Sequence, residues 1–346
     1  MSTRPNTHEL LHDILRQVSR SFYLTLNVLP AGVRDQMGLS YLFARAADTI
    51  ADTGLINREQ RLKYLNQFRA QFRTIEIDWK AIQQIQTALI PHQKDCAEAI
   101  LLQRLEDCLK LYEEFSAGDR ERIQWLMGVL PDGMEMDLTR FPGESAEHLT
   151  ALSTVDELDQ YTYYVAGCVG EFWTRMVCAH RPAMARWDIV KMSAVGVRFG
   201  KGLQLTNIVK DIARDLHNGR CYVPESLLRD AGLKPADLLN EANLPKFRPT
   251  LHQLIRLAME HLDEGWRYTM AIPRSEIRQR LACMWPILLA GETLKRVAAA
   301  PGLLDPAVNI KAPRSVVYRV MALTVLSGAS GYMGTVYWNR LSKRIV

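Results

Sequence analysis

The 346-residue chain has the length of one large domain or two modest ones. Its hydrophobic content of 48% and charged content of 23% are typical of a globular protein, and they exclude a disordered or collagen-like chain. The net charge of +5 comes from scattered residues without a Lys/Arg block. Such a mild charge does not indicate nucleic-acid binding, although it is compatible with an anionic substrate or an acidic lipid surface. The function must therefore depend on specific residues.

Proline-free runs, and apolar residues spaced by three and four, predict an almost all-α chain. Val33, Met37, Tyr41 and Ala44 illustrate the spacing. Ten helices are predicted, at 7–19, 33–53, 58–74, 93–115, 119–139, 154–179, 184–215, 247–271, 275–298 and 313–340. No linker rich in Gly, Ser or Pro divides the chain, so we predict a single helical domain over 1–346, with a loop-rich segment at 216–250.

Two features of the sequence bear on its compartment. The six cysteines form no CxxC pair and the N-terminus lacks a signal peptide, so we expect reduced thiols in a cytoplasmic protein. The uncharged stretch from Val320 to Asn339 has the length of a membrane span. Its polar residues and three glycines favour a buried, kinked helix, with a membrane helix as the alternative.

Two acidic motifs lie at the ends of predicted helices. Asp48 and Asp52 are four residues apart, as are Asp211 and Asp215, so each pair shares one helix face. Like charges at this spacing repel unless a cation or a basic neighbour offsets them, and the apolar sequence before each motif predicts costly burial. Because Mg²⁺ commonly bridges carboxylates and substrate phosphates, the two motifs predict a site for metal and diphosphate. Two solvated acidic faces are the alternative.

Basic residues flank both motifs. Arg45 lies three residues before Asp48, and Arg220 lies five residues after Asp215. The planar fork of an arginine suits phosphate oxygens. We therefore expect both arginines to contact diphosphate, with a surface salt bridge as the alternative for each.

Five motifs between residues 19 and 224 occur in a recognisable order. They are Ser19-Arg-Ser-Phe22, Tyr41 to Asp52, Tyr161 to Gly170, Gln204 to Asp215, and Gly219-Arg-Cys-Tyr-Val-Pro224. This order closely resembles the squalene/phytoene synthase family of head-to-head prenyl transferases. The resemblance implies an all-α isoprenoid synthase fold with helices around a central apolar channel.

The resemblance also implies a role for each motif. Two farnesyl diphosphates would bind in the channel, with Mg²⁺ or Mn²⁺ on the four aspartates and Arg45 and Arg220 acting on the diphosphates. Substrate contacts are implied for Ser19, Ser21, Phe22, Tyr41, Gln204, Asn207 and Lys210, the last standing where arginine is commoner. Tyr161 matches the tyrosine near the site of proton abstraction. A free phenol has a pKa of about 10, so neutral Tyr161 is a poor base and would orient or relay.

Two glycines, Gly167 and Gly170, fall inside the predicted helix at 154–179. Glycine costs about 1 kcal/mol in a helix interior relative to alanine. We therefore expect a kink, or a close approach of substrate, at these positions.

The resemblance leaves the product open. Squalene formation needs a hydride from NADPH, whereas phytoene and dehydrosqualene formation do not. The stretch Gly170–Trp173 and the C-terminal tail look more similar to bacterial members that form squalene, and Lys311 and Arg314 match a basic stretch implicated in NADPH binding. A helix start is the alternative there, and no Rossmann motif is present.

The retained acidic motifs also bear on whether the chain is an enzyme. A non-catalytic relative in protein assembly is disfavoured, because it would be expected to lose the aspartates. We expect farnesyl diphosphate as substrate, no nucleic-acid partner, and peripheral membrane contact for release of a lipid product.

Overall fold

The computed structural model describes residues 6–19, 22–54, 56–74, 76–326 and 331–345, and this part of the chain is almost entirely helical, as predicted. The α-helices, α1 to α17 in order, are Leu15–Ser19, Tyr23–Val28, Ala31–Asp52, Arg58–Ala70, Trp79–Leu89, Cys96–Gln103, Leu105–Glu113, Ala117–Arg140, Val155–Thr162, Cys168–His180, Ile189–Lys210, Ile212–His217, Glu225–Asp230, Leu244–Ala271, Ile277–Ala299, Arg314–Leu326 and Tyr332–Ser342. Two π-helical segments, Glu9–Ile14 and Tyr163–Gly167, precede α1 and α10. Short 3₁₀ segments lie at Ile90–His92, Ala146–His148, Pro182–Met184, Pro235–Leu239 and Glu241–Asn243. Strands β1 (Thr150–Ala151) and β2 (Arg220–Cys221) pair in parallel.

Side-chain caps explain where several helices begin. Asn57 accepts a hydrogen bond from the backbone of Gln60 at 2.8 Å at the start of α4, and Ser116 accepts one from Asp119 at 3.2 Å at the start of α8. Such caps satisfy backbone N–H groups that have no partner within the helix. The cap at Ser116 fixes the start of α8, and the C-terminal end of the same helix lies at the cavity described below.

Four predicted segments differ from the structure. The helix predicted at 184–215 is divided at Asp211, and the one at 93–115 is divided at Arg104. The loop-rich segment ends at Asn243, because α14 accommodates two prolines in its first turns. A single helix over 313–340 is wrong, since Gly331 has a left-handed conformation with φ of 65° that favours glycine. Residues 327–330 lie outside the described residues.

Buried side chains form two hydrophobic clusters. The first gathers residues of α1 to α8 and α10, with a few from α14 and α15, around Phe43, Phe68 and Phe72, and Phe72 meets both other rings edge to face. The second lies between the later helices and includes Phe247 and Leu262. Helix α11 packs extensively against both α10 and α14, so it joins the two halves and carries polar residues at its C-terminal end to the site.

The glycines of the predicted helix at 154–179 serve a close approach between helices. A Cβ on Gly170 would lie 1.9 Å from the carbonyl oxygen of Gly196 on α11, and the π-helical segment ends at Gly167. The expected irregularity is therefore confirmed, and the partner in close approach is a neighbouring helix. This contact fixes α10 against α11 and so places Tyr161 opposite the C-terminal end of α11.

Two observations bear on the expected compartment. All six cysteines are free. Among the described residues, no helix combines the length and the apolar character needed to cross a membrane.

Candidate active site

A polar cavity of 210 Å³ opens between the C-terminal ends of α3, α8 and α11, with α12 and β2 completing its wall. Eight residues predicted from the sequence line it: Asp48, Asp52, Tyr161, Gln204, Asn207, Asp211, Asp215 and Arg220. Pairing of β2 with β1 carries Arg220 to the cavity, and Gly219 before it has φ of 78°, which favours glycine. Residues far apart in the chain thus meet at one place.

The two acidic pairs keep the spacing that the sequence predicts. Asp48 and Asp52 lie on the last turn of α3, and Asp211 and Asp215 span the junction of α11 and α12. The N–H of Asp215 donates to the carbonyl of Asp211 at 3.0 Å, so these two remain one turn apart despite the break.

The surroundings disfavour the charged form of two of these carboxylates. Burial by the surrounding helix ends, followed by repulsion from Asp52, raises the pKa of Asp48, although 42% of its side chain faces the cavity. Burial raises the pKa of Asp215 to about 7, with Arg214 opposing and Asp211 adding to the rise. Burial thus disfavours negative charge on these two carboxylates unless a cation compensates it.

Basic side chains are interleaved with the carboxylates. Arg45 donates to Asp48 at 2.6 Å and also pairs with Glu98. Lys210 lies 3.2 Å from both Asp211 and the amide oxygen of Asn207. Two further arginines pair with carboxylates of the cavity. Arg214 lies 3.0 Å from Asp211 and 3.8 Å from Asp215. Arg220 lies 3.4 Å from Asp52 and 3.8 Å from Asp137.

Asp137 and Tyr222 are site residues that the sequence motifs did not identify as functional. The carboxylate of Asp137, on α8, accepts hydrogen bonds from Tyr161 at 3.1 Å and from Tyr222 at 3.0 Å. The two phenol rings stack with centroids 4.8 Å apart. Burial raises the pKa of Asp137 to about 7, against the opposing charge of Arg220. The sequence does not single Asp137 out, because it is one of three acidic residues in the stretch from Asp132 to Asp137.

Tyr161 is held neutral in this cluster. Its side chain is buried, and burial followed by the nearby Asp137 raises the pKa of its phenol well above the ordinary value. The hydroxyl acts as a hydrogen-bond donor to Asp137. This agrees with the expectation that the phenol does not act alone as a base.

Several predicted site residues do not line the cavity. The hydroxyl of Ser19 donates to the backbone of Leu15 at 2.5 Å within α1. The rings of Phe22 and Tyr41 stack beside the first hydrophobic cluster, with centroids 5.6 Å apart. Tyr41 lies one turn of α3 before Arg45. Lys311 and Arg314 are exposed at the start of α16, and Ser21 lies outside the described residues.

The donor set at the cavity suits a hard divalent cation. Among the described residues, no three Asp, Glu, His or Cys side chains converge as a ready-made metal site. Mg²⁺, however, usually binds through one or two carboxylates and completes its coordination with water and substrate phosphates. Two carboxylate pairs with raised pKa values at Asp48 and Asp215 fit that mode, because a cation would offset their charge.

A family model described as squalene/phytoene synthase matches residues 15–315. The chain belongs to the squalene/phytoene synthase family. Members of this family are prenyltransferases that bind prenyl diphosphates and carry out head-to-head isoprenoid condensation, generally with a divalent metal.

Individual relatives divide between two products. A squalene synthase of Schizosaccharomyces pombe is 25% identical over 314 residues, which cover 90% of this chain and 64% of the relative. A bifunctional lycopene cyclase/phytoene synthase of Arthroderma gypseum is 27% identical over 252 residues, which cover 71% of this chain and 39% of the relative. The chain thus spans less than two thirds of these relatives. The structure of TcSQS with the ligand E5700 aligns with a TM-score of 0.78 at 21% identity, covering 99% of this chain and 93% of that one, and shows a shared fold.

Proposed function

We propose that the chain is a Mg²⁺-dependent enzyme that joins two farnesyl diphosphates head to head into presqualene diphosphate, then reduces this intermediate with NADPH to squalene. The observation that carries the proposal is the convergence of two acidic pairs and Arg220 on one polar cavity. The proposal includes peripheral contact with a membrane, because the product is an apolar hydrocarbon.

The polar cavity suits the diphosphate end of the substrate. Its wall consists mainly of charged and polar side chains, which is suitable for a metal-bound diphosphate and unsuitable for a prenyl chain. Mg²⁺, when bound, would neutralise the departing diphosphate and so favour ionisation to an allylic cation. Arg220 and Arg214 would donate hydrogen bonds to its oxygens, releasing the carboxylates that they now contact.

In this proposal Tyr161 and Asp137 have an orienting role and do not take up the proton. Since the phenol is neutral and already donates to Asp137, it presents a fixed dipole at the cavity wall. The proton lost on cyclopropane closure passes to the released diphosphate, which is the stronger base. The two stacked tyrosines cover Asp137 and help to exclude water from a cation beside them.

Squalene is favoured over phytoene by the wider coverage of the squalene synthase relative, 90% of the chain against 71%. Lys311 and Arg314 are exposed and do not line the cavity, so no hydride step is assigned to them. Phytoene or dehydrosqualene synthesis is the second candidate, supported by the phytoene synthase relatives and requiring no hydride.

Product analysis tests the proposal. Purified full-length chain is incubated with Mg²⁺ and farnesyl diphosphate, with and without NADPH, and the extracted lipids are identified by mass spectrometry. Squalene that forms only with NADPH supports the proposal. Dehydrosqualene formed equally in both reactions, or turnover of only the C20 diphosphate, would replace it with the second candidate.

A further inference from the structure

The positive charge of the protein is concentrated at its C-terminus. Residues 306–346 contain no Asp or Glu, and their basic residues are Lys311, Arg314, Arg319, Arg340, Lys343 and Arg344. Because the whole chain has a net charge of +5, the preceding residues together are nearly neutral. A basic segment without any acidic residue attracts an anionic surface.

The same segment exposes large apolar side chains. Tyr318, Val325 and Leu326 on α16 are exposed, as are Tyr332 and Met333 at the start of α17. Leu326 keeps 84% of its surface open and Tyr332 keeps 68%. Apolar residues of this size exposed side by side mark a surface that is covered by a partner or a membrane.

The exposed residues of α16 form a face. Tyr318, Ala322 and Val325 follow one another at intervals of four and three residues and point away from the protein, whereas Val316 and Val320 are buried beneath the helix. Helix α16 thus exposes apolar residues on its outer side as well as burying others on its inner side, and the polar residues of the outer side (Arg314, Ser315 and Arg319) lie in its first half. Burial of the inner side leaves the outer side without a partner among the described residues.

Side-chain contacts hold α16 and α17 against the rest of the protein, beginning with the indole N–H of Trp285 on α15, which donates to Thr324 of α16 at 2.9 Å. Trp338 stacks on Trp266 with centroids 5.8 Å apart and donates to Asp263 at 2.8 Å. Tyr337 hydrogen-bonds to the buried Glu292, which also pairs with Arg296 at 2.7 Å. The acidic groups packed against these helices are therefore engaged, and the outer apolar face is presented in a set orientation.

Charge and apolar character lie at opposite ends of this helix pair. Along α16, Arg319 lies 3.6 Å from Glu292 of α15 and Thr324 bonds to Trp285. Along α17, Gly334 lies against Met284 and Tyr337 contacts Glu292, so the two helices run antiparallel. Their basic end therefore combines Lys311 and Arg314 with the C-terminus of α17, while Leu326 and Tyr332 lie at the other end. At 1.5 Å per residue, α16 separates the two ends by about 20 Å. A leaflet has a hydrocarbon depth of about 15 Å, so a tilted pair can immerse one end and keep the other at the headgroups.

We propose that the outer face of α16 with the start of α17 docks on an anionic lipid bilayer, the apolar end entering the acyl region and the basic end contacting lipid phosphates. This docking surface specifies the membrane contact in the proposed function and rests on that function for its biological role. Binding to vesicles can nevertheless be measured without any turnover of substrate. A second copy of the chain is a poorer occupant, because it would bring the same acid-free basic segment against itself.

Vesicle binding tests the docking surface. The full-length chain is mixed with vesicles of phosphatidylcholine alone or of phosphatidylcholine and phosphatidylglycerol in equal parts, and bound protein is measured by flotation at low and high salt. Val325→Ser/Leu326→Ser removes exposed apolar groups, and Ile189→Ser/Val190→Ser, exposed at the start of α11, is its matched control. Arg340→Gln/Lys343→Gln/Arg344→Gln is compared with Lys63→Gln/Lys191→Gln/Arg256→Gln, which changes the net charge equally at exposed sites.

The wild-type chain is expected to bind the anionic vesicles and to be released by salt. Each basic residue at such a surface contributes about fivefold, about 1 kcal/mol, so the basic triple variant should bind about 100-fold more weakly. The apolar double variant should bind at least about tenfold more weakly, with both controls unchanged. Absence of wild-type binding, equal weakening in the controls, or a wild-type dimer that only the apolar variant dissolves would overturn the proposal. Turnover of farnesyl diphosphate by the same samples reports separately on the proposed function.

Discussion

Asp137 connects three side chains that come from different parts of the chain. It accepts hydrogen bonds from Tyr161 and Tyr222, which are 24 and 85 residues away, and lies 3.8 Å from Arg220. A carboxylate can accept from both phenols at once and also attract a guanidinium. Asp137 therefore sets the orientation of Tyr161 and Arg220, which makes it a positioning residue for the proposed reaction.

Asp137→Asn should reduce turnover about tenfold to about 100-fold, because one phenol loses a charged acceptor and such hydrogen bonds contribute about 1.5–3 kcal/mol. The amide keeps the shape of the side chain, so the fold should be retained. Steady-state kinetics with farnesyl diphosphate, together with circular dichroism, measure the effect. Glu121→Gln, an exposed change of equal charge on the same helix, is the control. Unaltered kcat and KM in Asp137→Asn would show that the carboxylate is only structural.

At the scale of the elements, the carboxylates at the ends of α3 and α11 do not form a complete metal site by themselves or with other described residues. A cation should therefore bind well only together with diphosphate, which supplies the missing oxygens. We predict that Mg²⁺ with pyrophosphate raises the melting temperature by more than the sum of the shifts that each causes alone.

Variants of the two acidic motifs test whether this cooperative stabilisation arises at the cavity. Asp48→Ala and Asp211→Ala should each abolish the extra shift in melting temperature, and with it turnover. Asp230→Ala, an exposed aspartate on α13, should keep both. Simple addition of the two shifts in the wild-type protein would argue against joint binding of metal and diphosphate.

The packing of α10 on α11 depends on the absence of a side chain at Gly170. An added Cβ would lie 1.9 Å from a backbone oxygen of Gly196, so one helix must move. Gly170→Ala should lower the free energy of unfolding by about 3 kcal/mol or more and reduce turnover, because α11 carries Gln204 and Asn207 and is followed directly by Asp211. Gly128→Ala on α8 meets no atom within 4 Å and should raise stability by about 0.5–1 kcal/mol. Denaturant unfolding measures both, and equal effects would refute the packing argument.

For the molecule as a whole, the sequence predicts most where the determinants are local. The spacing of Asp48 and Asp52 and the apolar period before them define α3 to within a few residues. The break at Gly331 is harder to predict, because it depends on one backbone angle inside an apolar run. The cluster at Asp137 depends on tertiary packing alone, since no spacing relates α8 to two distant tyrosines. Sequence motifs therefore located much of the cavity wall and missed Asp137, the group that holds its tyrosine.

The stability of the whole molecule should depend on pH through Asp137. Its pKa is about 7 in the folded protein and about 4 in an unfolded chain, so the folded state retains a proton that the unfolded state releases. This contribution destabilises the protein as pH rises from about 4 to about 7, by at most about 1.4 kcal/mol per pH unit, and is level above that. His261 acts with the opposite sign, because burial lowers its pKa to about 4. The difference between Asp137→Asn and wild type cancels the His261 contribution. That difference, measured by denaturant unfolding without divalent cations, should favour the variant increasingly from about pH 5 to about pH 7. A difference that stays constant over this range would mean that Asp137 titrates alike in the folded and unfolded chains.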